Sequence, residues 1–154
     1  MTTIHSVTAE PLTEEAFAPF GQMISRGDMV MELRGGEVFH LNVLHYARRP
    51  LRCDHLNRHH KATQALVALA GKPTLLVVAP PAYDFSTADH LPHVRAFVCD
   101  GTAGVNLGLG TWHWGPYPLH DHVDLVNVQG ANFADDNEIA YLERDLGVVV
   151  ETVL

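Results

Sequence analysis

Between residues 23 and 133 the chain never sustains a long apolar periodicity; every few residues a Gly, Pro, Asp or Asn breaks it. The segments 37–44, 65–69, 74–79, 94–99 and 123–128 have strand length and either alternating or continuously apolar composition. Pro80-Pro81, Asp100-Gly101, the stretch 108–110 and Gly115-Pro116 punctuate them as turns. Many short strands at close spacing bury their apolar faces best in an antiparallel sandwich or barrel. An all-β fold is therefore expected, with short peripheral helices only near the ends. One helical signal lies in 11–21, where Thr13 can cap, Glu14 and Glu15 favour the first turn, and Pro19 with Gly21 stops the run. A second is 137–145, closed by Gly147 and followed by an apolar strand from Val148. The 154 residues suit a single domain, 1–154, with no repeat or linker.

Charge and composition narrow the class. The net charge is −8 with histidine neutral, which argues against a phosphate-backbone binder, so no nucleic-acid partner is expected. The longest apolar stretches fall far short of the ~20 residues of a spanning helix, so no membrane partner is expected either. The opening shows no basic region followed by an apolar run, as a secretory leader would. Two cysteines, Cys53 and Cys99, read as buried thiols of a reducing compartment, and a cytoplasmic location is expected. The compositional oddity is eleven histidines.

Their densest segment runs from His55 through Asn57, His59 and His60 to Gln64. In an extended chain His55, Asn57 and His59 share one face, because successive side chains alternate. A second segment, 104–113, is rich in glycine and would present His113 at a strand start. Histidines from two distant strands converging at a barrel mouth are the raw material of an imidazole-based site. His5, His40, His45, His90 and His93 carry no such pattern and read as ordinary strand or loop residues. His120 and His122 alternate with Asp124, which is either a second cluster or a solvated turn.

Asn57-x-His59, then Gln64, then Gly71 outlines the first cupin motif, and Gly108-x-Gly110-x-x-His113 the second. More narrowly, Leu56-Asn57-Arg58-His59, Thr63-Gln64-Ala65, Arg95-Ala96-Phe97, Gly104-Val105-Asn106 and Gly110-x-Trp112-His113 resemble the ureidoglycolate lyase family, as does Phe17-x-x-Phe20-Gly21-x-x-Ile24. The resemblance spans roughly residues 10–130 in order. It implies a cupin-type β-barrel (a double-stranded β-helix or jelly roll), a homodimer, and cleavage of ureidoglycolate to glyoxylate and urea in purine and allantoin nitrogen catabolism. Several residues depart from the family pattern, Gly108 also standing where the second cupin motif usually has a proline. Asn57 stands where the family has a glutamate, His60 for a proline, Trp114 for a histidine, and Gln129-Gly130 for Asp-Arg.

On this resemblance His59 and His113 are the expected catalytic residues. Two chemistries stay open: one divalent metal held by His59, His113, Gln64 and Asn57, or a metal-free site in which a histidine takes the proton. The small anionic substrate is expected to contact Arg95 through its carboxylate, because a guanidinium fork matches that group. Gln64, Asn106 and Trp112 are further expected contacts, with packing of the barrel mouth as the competing role for Trp112. Two other functions remain open: a cupin enzyme for a different small hydroxy or oxo acid, and a non-catalytic ligand-binding cupin.

Overall fold

The computed structural model describes all residues from Met1 to Leu154. The chain opens with β1 (Thr3–Thr8), β2 (Glu10–Pro11), α1 (Glu14–Phe17) and β3 (Gly21–Ile24). It continues through β4 (Phe39–Ala47), β5 (Arg52–Cys53), β6 (His55–Arg58), β7 (Gln64–Ala68) and β8 (Thr74–Ala79). Then follow β9 (Arg95–Cys99), β10 (Gly104–Leu107), β11 (Trp112–Pro118) and β12 (His122–Gly130). The last elements are β13 (Glu138–Tyr141), α2 (Leu142–Leu146) and β14 (Val148–Val153). Short 3₁₀ turns occupy Leu69–Gly71 and Ala88–His93.

The strands form three layers. A five-stranded sheet has the order β3-β10-β7-β12-β4, and a six-stranded sheet the order β13-β6-β11-β8-β9-β2. Between them lies one apolar core, in which Leu66, Val105 and Leu107 meet Leu76, Val78, Phe97 and Cys99. Phe17 and Phe20 close it from the N-terminal side, with the Phe17 and Phe97 rings edge-on at 5.4 Å. The alternate residues of β8, Leu75, Val77 and Ala79, point the other way, into a second core with Leu56, Trp112 and Tyr117. The small sheet β1-β14-β5 covers that core with Val7, Val148, Val150 and Cys53. All of β8 is buried because it is sandwiched on both faces, and its sequence TLLVVA is accordingly apolar without alternation.

The all-β expectation holds, and so does the short N-terminal helix. Thr13 caps it, accepting from the Ala16 N–H at 3.2 Å. The second helical expectation needs correction. Residues 138–141 are strand, paired antiparallel to β6, and only Leu142–Leu146 is helical before Gly147 ends it in a left-handed conformation. The outer edge of β6 offers free backbone groups, and pairing with them outweighs the local preference of a short segment.

Candidate active site

A cavity of about 240 Å³ is lined by residues of both large sheets. Asn42, Leu44 and Tyr46 of β4, Gln64 of β7 and Gln129 of β12 line it from the five-stranded sheet. Asn57 of β6, His59 just beyond it, and His113, Trp114 and Gly115 of β11 line it from the six-stranded sheet. Phe133 and Asn137 close the rim. No Asp, Glu, Lys or Arg is among the lining residues.

His59 and His113 meet here although far apart in sequence. β6 and β11 are neighbours with Asn57 opposite His113, and the Gly110 N–H donates to the His59 carbonyl at 2.7 Å. Gly110 turns with φ 74°, a conformation glycine adopts without strain. The imidazole centroids stand 5.3 Å apart, tilted by 52°. Each ring is anchored through Nδ1, which donates to a backbone carbonyl: Asp136 at 2.8 Å for His59 and Thr111 at 3.1 Å for His113. That fixes the tautomer with the proton on Nδ1 and leaves Nε2 of each ring as a free lone pair. Burial, reinforced by neighbouring His59, depresses the His113 pKa from 6.5 to about 4, so this imidazole is neutral at neutral pH.

The segment that anchors His59 is itself clamped. The Asp136 carboxylate accepts from the backbone N–H groups of His60 and Lys61 at 2.8–3.1 Å. Glu138 pairs with Arg58 at 2.7 and 3.0 Å and with His60 at 2.8 Å. Asp136 lies 77 residues from His59. Nothing local in the sequence announces that role.

Two amide oxygens complete the cavity's polar inventory. Asn57 Oδ1 and Gln64 Oε1 are buried and without a partner. Four of the expected residues, His59, His113, Asn57 and Gln64, are thus brought together. The other three are not. Arg95 is engaged by Glu10 of β2 at 2.7 and 2.5 Å, an ion pair on the sheet edge that raises its pKa and takes its guanidinium away from the cavity. Asn106 is buried on β10 and donates to Gln22 Oε1 and the Val30 carbonyl. Trp112 packs in the second core, donates to the Tyr83 carbonyl at 2.6 Å and carries Arg58 over its face at 4.1 Å. Trp112 faces the opposite side of β11 from His113, as strand alternation requires, and Trp114, which borders the cavity, packs its ring against the same core as Trp112. His55 packs against Trp114, ring centroids 4.0 Å apart and tilted by 55°, and hydrogen-bonds Asp54 rather than lining the cavity.

The departures from the family pattern cluster at this site. Asn57, Trp114 and Gln129 all line the cavity. A Cβ on Gly130 would sit 2.9 Å from the Glu37 carboxylate, so a larger residue there would collide with Glu37 unless it moved. Glu37 is held in turn by Val38 and Asn132, whose N–H groups keep its carboxyl below the usual range. The cluster at His45 is real but lies on the outer side of the sheet. His45 pairs with Asp124 at 2.7 Å, stacks on His122 at 5.6 Å, and Lys72 approaches His122 at 2.8 Å.

Comparison with known proteins points one way. The family model described as ureidoglycolate lyase matches residues 29–150. A ureidoglycolate lyase of Pseudomonas syringae pv. tomato is 30% identical over 96% of this chain and 96% of its own length. That of Pseudomonas savastanoi pv. phaseolicola is 36% identical over 92% of this chain and 93% of its own. That of Pseudomonas fluorescens SBW25 is 31% identical over 92% and 95%.

Proposed function

Because the chain belongs to the ureidoglycolate lyase family, we propose that it cleaves ureidoglycolate to glyoxylate and urea with the cavity between the two sheets as its active site. The observation that carries the site assignment is the pair of anchored imidazoles, each with Nε2 free, in a cavity that holds no carboxylate.

Ureidoglycolate bears a hydroxyl and a ureido nitrogen on one carbon, next to a carboxylate. The hydroxyl must lose its proton as the carbonyl forms, and the carbon–nitrogen bond breaks as the departing nitrogen gains a proton. No water is consumed. Asn57 cannot accept a proton at neutral pH, so the base is an imidazole. His113 disfavours positive charge because it is buried and faces His59. His59, half-buried, is therefore the residue that takes the hydroxyl proton on Nε2 and returns it to the leaving nitrogen. Its Nδ1–H to the Asp136 carbonyl steadies the imidazolium formed between these steps. With no arginine in the lining, the substrate carboxylate meets neutral donors, the Tyr46 hydroxyl and the Asn137 amide. Burial raises the Tyr46 pKa and keeps that hydroxyl protonated.

A divalent metal would be held by His59 and His113, with Asn57 and Gln64 as oxygen donors, and would supply acidification of the hydroxyl and charge for the carboxylate. The free Nε2 atoms and unpartnered amide oxygens fit such an ion, although no cluster of three or more His, Cys, Asp or Glu is placed to hold one. Metal analysis of the purified protein, with activity before and after chelation, separates the two routes. Product analysis tests the function itself. Urea and glyoxylate should appear in equal amounts; ammonia in place of urea, or no glyoxylate, would overturn it.

The homodimer is proposed on β4. It is the nine-residue edge strand of its sheet, and its outward Leu41 and Val43 are 65% and 55% exposed. Their cross-strand partners Val128 and Val126 extend the apolar strip on the face opposite the cavity. A cytoplasmic setting is supported by Cys53 and Cys99, which are free and buried, with thiol pKa values pushed up to about 12 and about 11 by burial.

A further inference from the structure

A fully buried asparagine beside the cavity has no place in the chemistry above. Asn127 sits on β12 in the inward row Leu125, Asn127, Gln129, with no solvent exposure at all. An amide at such a position must find partners for both its ends or cost stability. Its Oδ1 accepts from Gln64 Nε2 at 2.8 Å, and its Nδ2 donates to Asn42 Oδ1 at 2.7 Å. The three amides form a relay across β4, β12 and β7, and the relay has a direction. Because the NH2 end of Gln64 is spent on Asn127, the end that remains is the carbonyl Oε1, buried and unpartnered. Run in the reverse sense, the same three residues would leave Gln64 an NH2 instead.

Asn57 Oδ1, in the same cavity, is also a buried acceptor with no donor. Two orphaned acceptors in an uncharged pocket call for N–H groups on the ligand. We propose that Asn127, backed by Asn42, is a positioning residue. It holds Gln64 with its carbonyl toward the cavity, so that Gln64 and Asn57 form an acceptor pair that selects a ureido end, with its NH2 and NH, over isosteric groups lacking those hydrogens. The identity of the ligand rests on the functional reading above; the acceptor pair does not.

Two non-cleavable probes isolate the effect. Ureidoacetate is the substrate without its hydroxyl and cannot undergo the reaction. 4-Oxopentanoate is its isostere, with CH2 and CH3 in place of NH and NH2 and the same carboxylate. Calorimetric titration of chelator-treated protein should show ureidoacetate bound at least about tenfold more tightly, since orphaned buried acceptors discriminate strongly against a ligand with no donors. Asn127→Leu should reduce that preference to less than about threefold while leaving the affinity for 4-oxopentanoate within about twofold. Gln64→Leu, which removes one of the two acceptors, should likewise lower the preference to less than about threefold, and a preference that survives it would overturn the proposal even where Asn127→Leu fails to fold. Equal binding of the two probes by the unaltered protein, binding of neither, or a preference that survives Asn127→Leu in a folded protein would overturn the proposal. So would a preference that appears only when a divalent metal is restored, because the oxygens would then serve a cation. Glyoxylate release from ureidoglycolate is scored separately, so its failure would count against the functional reading and not against the acceptor pair.

Discussion

His113 shows how burial sets the proton chemistry of single residues at this site. In the unfolded chain its imidazole titrates near 6.5; in the fold burial and His59 lower that to about 4. Between those values the unfolded state binds more protons, so stability rises with pH there and is fully present above about 6.5. The size of the effect is about 3 kcal/mol, from the conversion of pKa shift to free energy. Urea denaturation across pH 4–7 should show a slope that His113→Asn removes. Asn57 is the second informative residue. Asn57→Glu restores the carboxylate usual in the family at a polar, cavity-lining position, and should leave the fold intact and raise the rate of glyoxylate release. His5→Ala, on the opposite sheet from the cavity, should alter neither activity nor stability.

Among the elements, β8 and β9 are legible in the sequence from their apolar runs and β12 from its alternation, because these patterns report burial directly. Thr74–Ala79 is strand over the expected residues. β13 was not legible: Glu138–Tyr141 carries a helix-like local sequence and becomes strand only because β6 needs a neighbour. The same holds within the site. His59, His113, Asn57 and Gln64 are legible from motif outlines, whereas the engagement of Arg95 by Glu10, 85 residues away, is not. Asn42, Asn127 and Asp136 could not be found, since their roles come from cross-strand register and loop contact. Turn elements carry their own test. Gly101 has φ 93°, and a Cβ there would lie 2.1 Å from the Gly71 carbonyl oxygen. Gly101→Ala should destabilise by about 2–4 kcal/mol, seen as a lowered thermal midpoint, because strain and collision add.

For the whole molecule, two sheets enclose an apolar core and line a cavity without Asp, Glu, Lys or Arg, on a chain whose net charge is −8. The same architecture leaves β4 with its inward residues in the site and its outward residues bare. Leu41→Glu with Val43→Glu should convert a dimer to a monomer by light scattering, and a native mass that is monomeric without these changes would contradict the assigned interface. The most direct test is the rate of glyoxylate release from ureidoglycolate at neutral pH, for the unaltered protein and for His59→Ala side by side. Turnover by the former, with a loss of about 10²–10⁴-fold in the latter, is the predicted result. Equal rates in the two proteins would contradict the assignment of the proton transfer to His59.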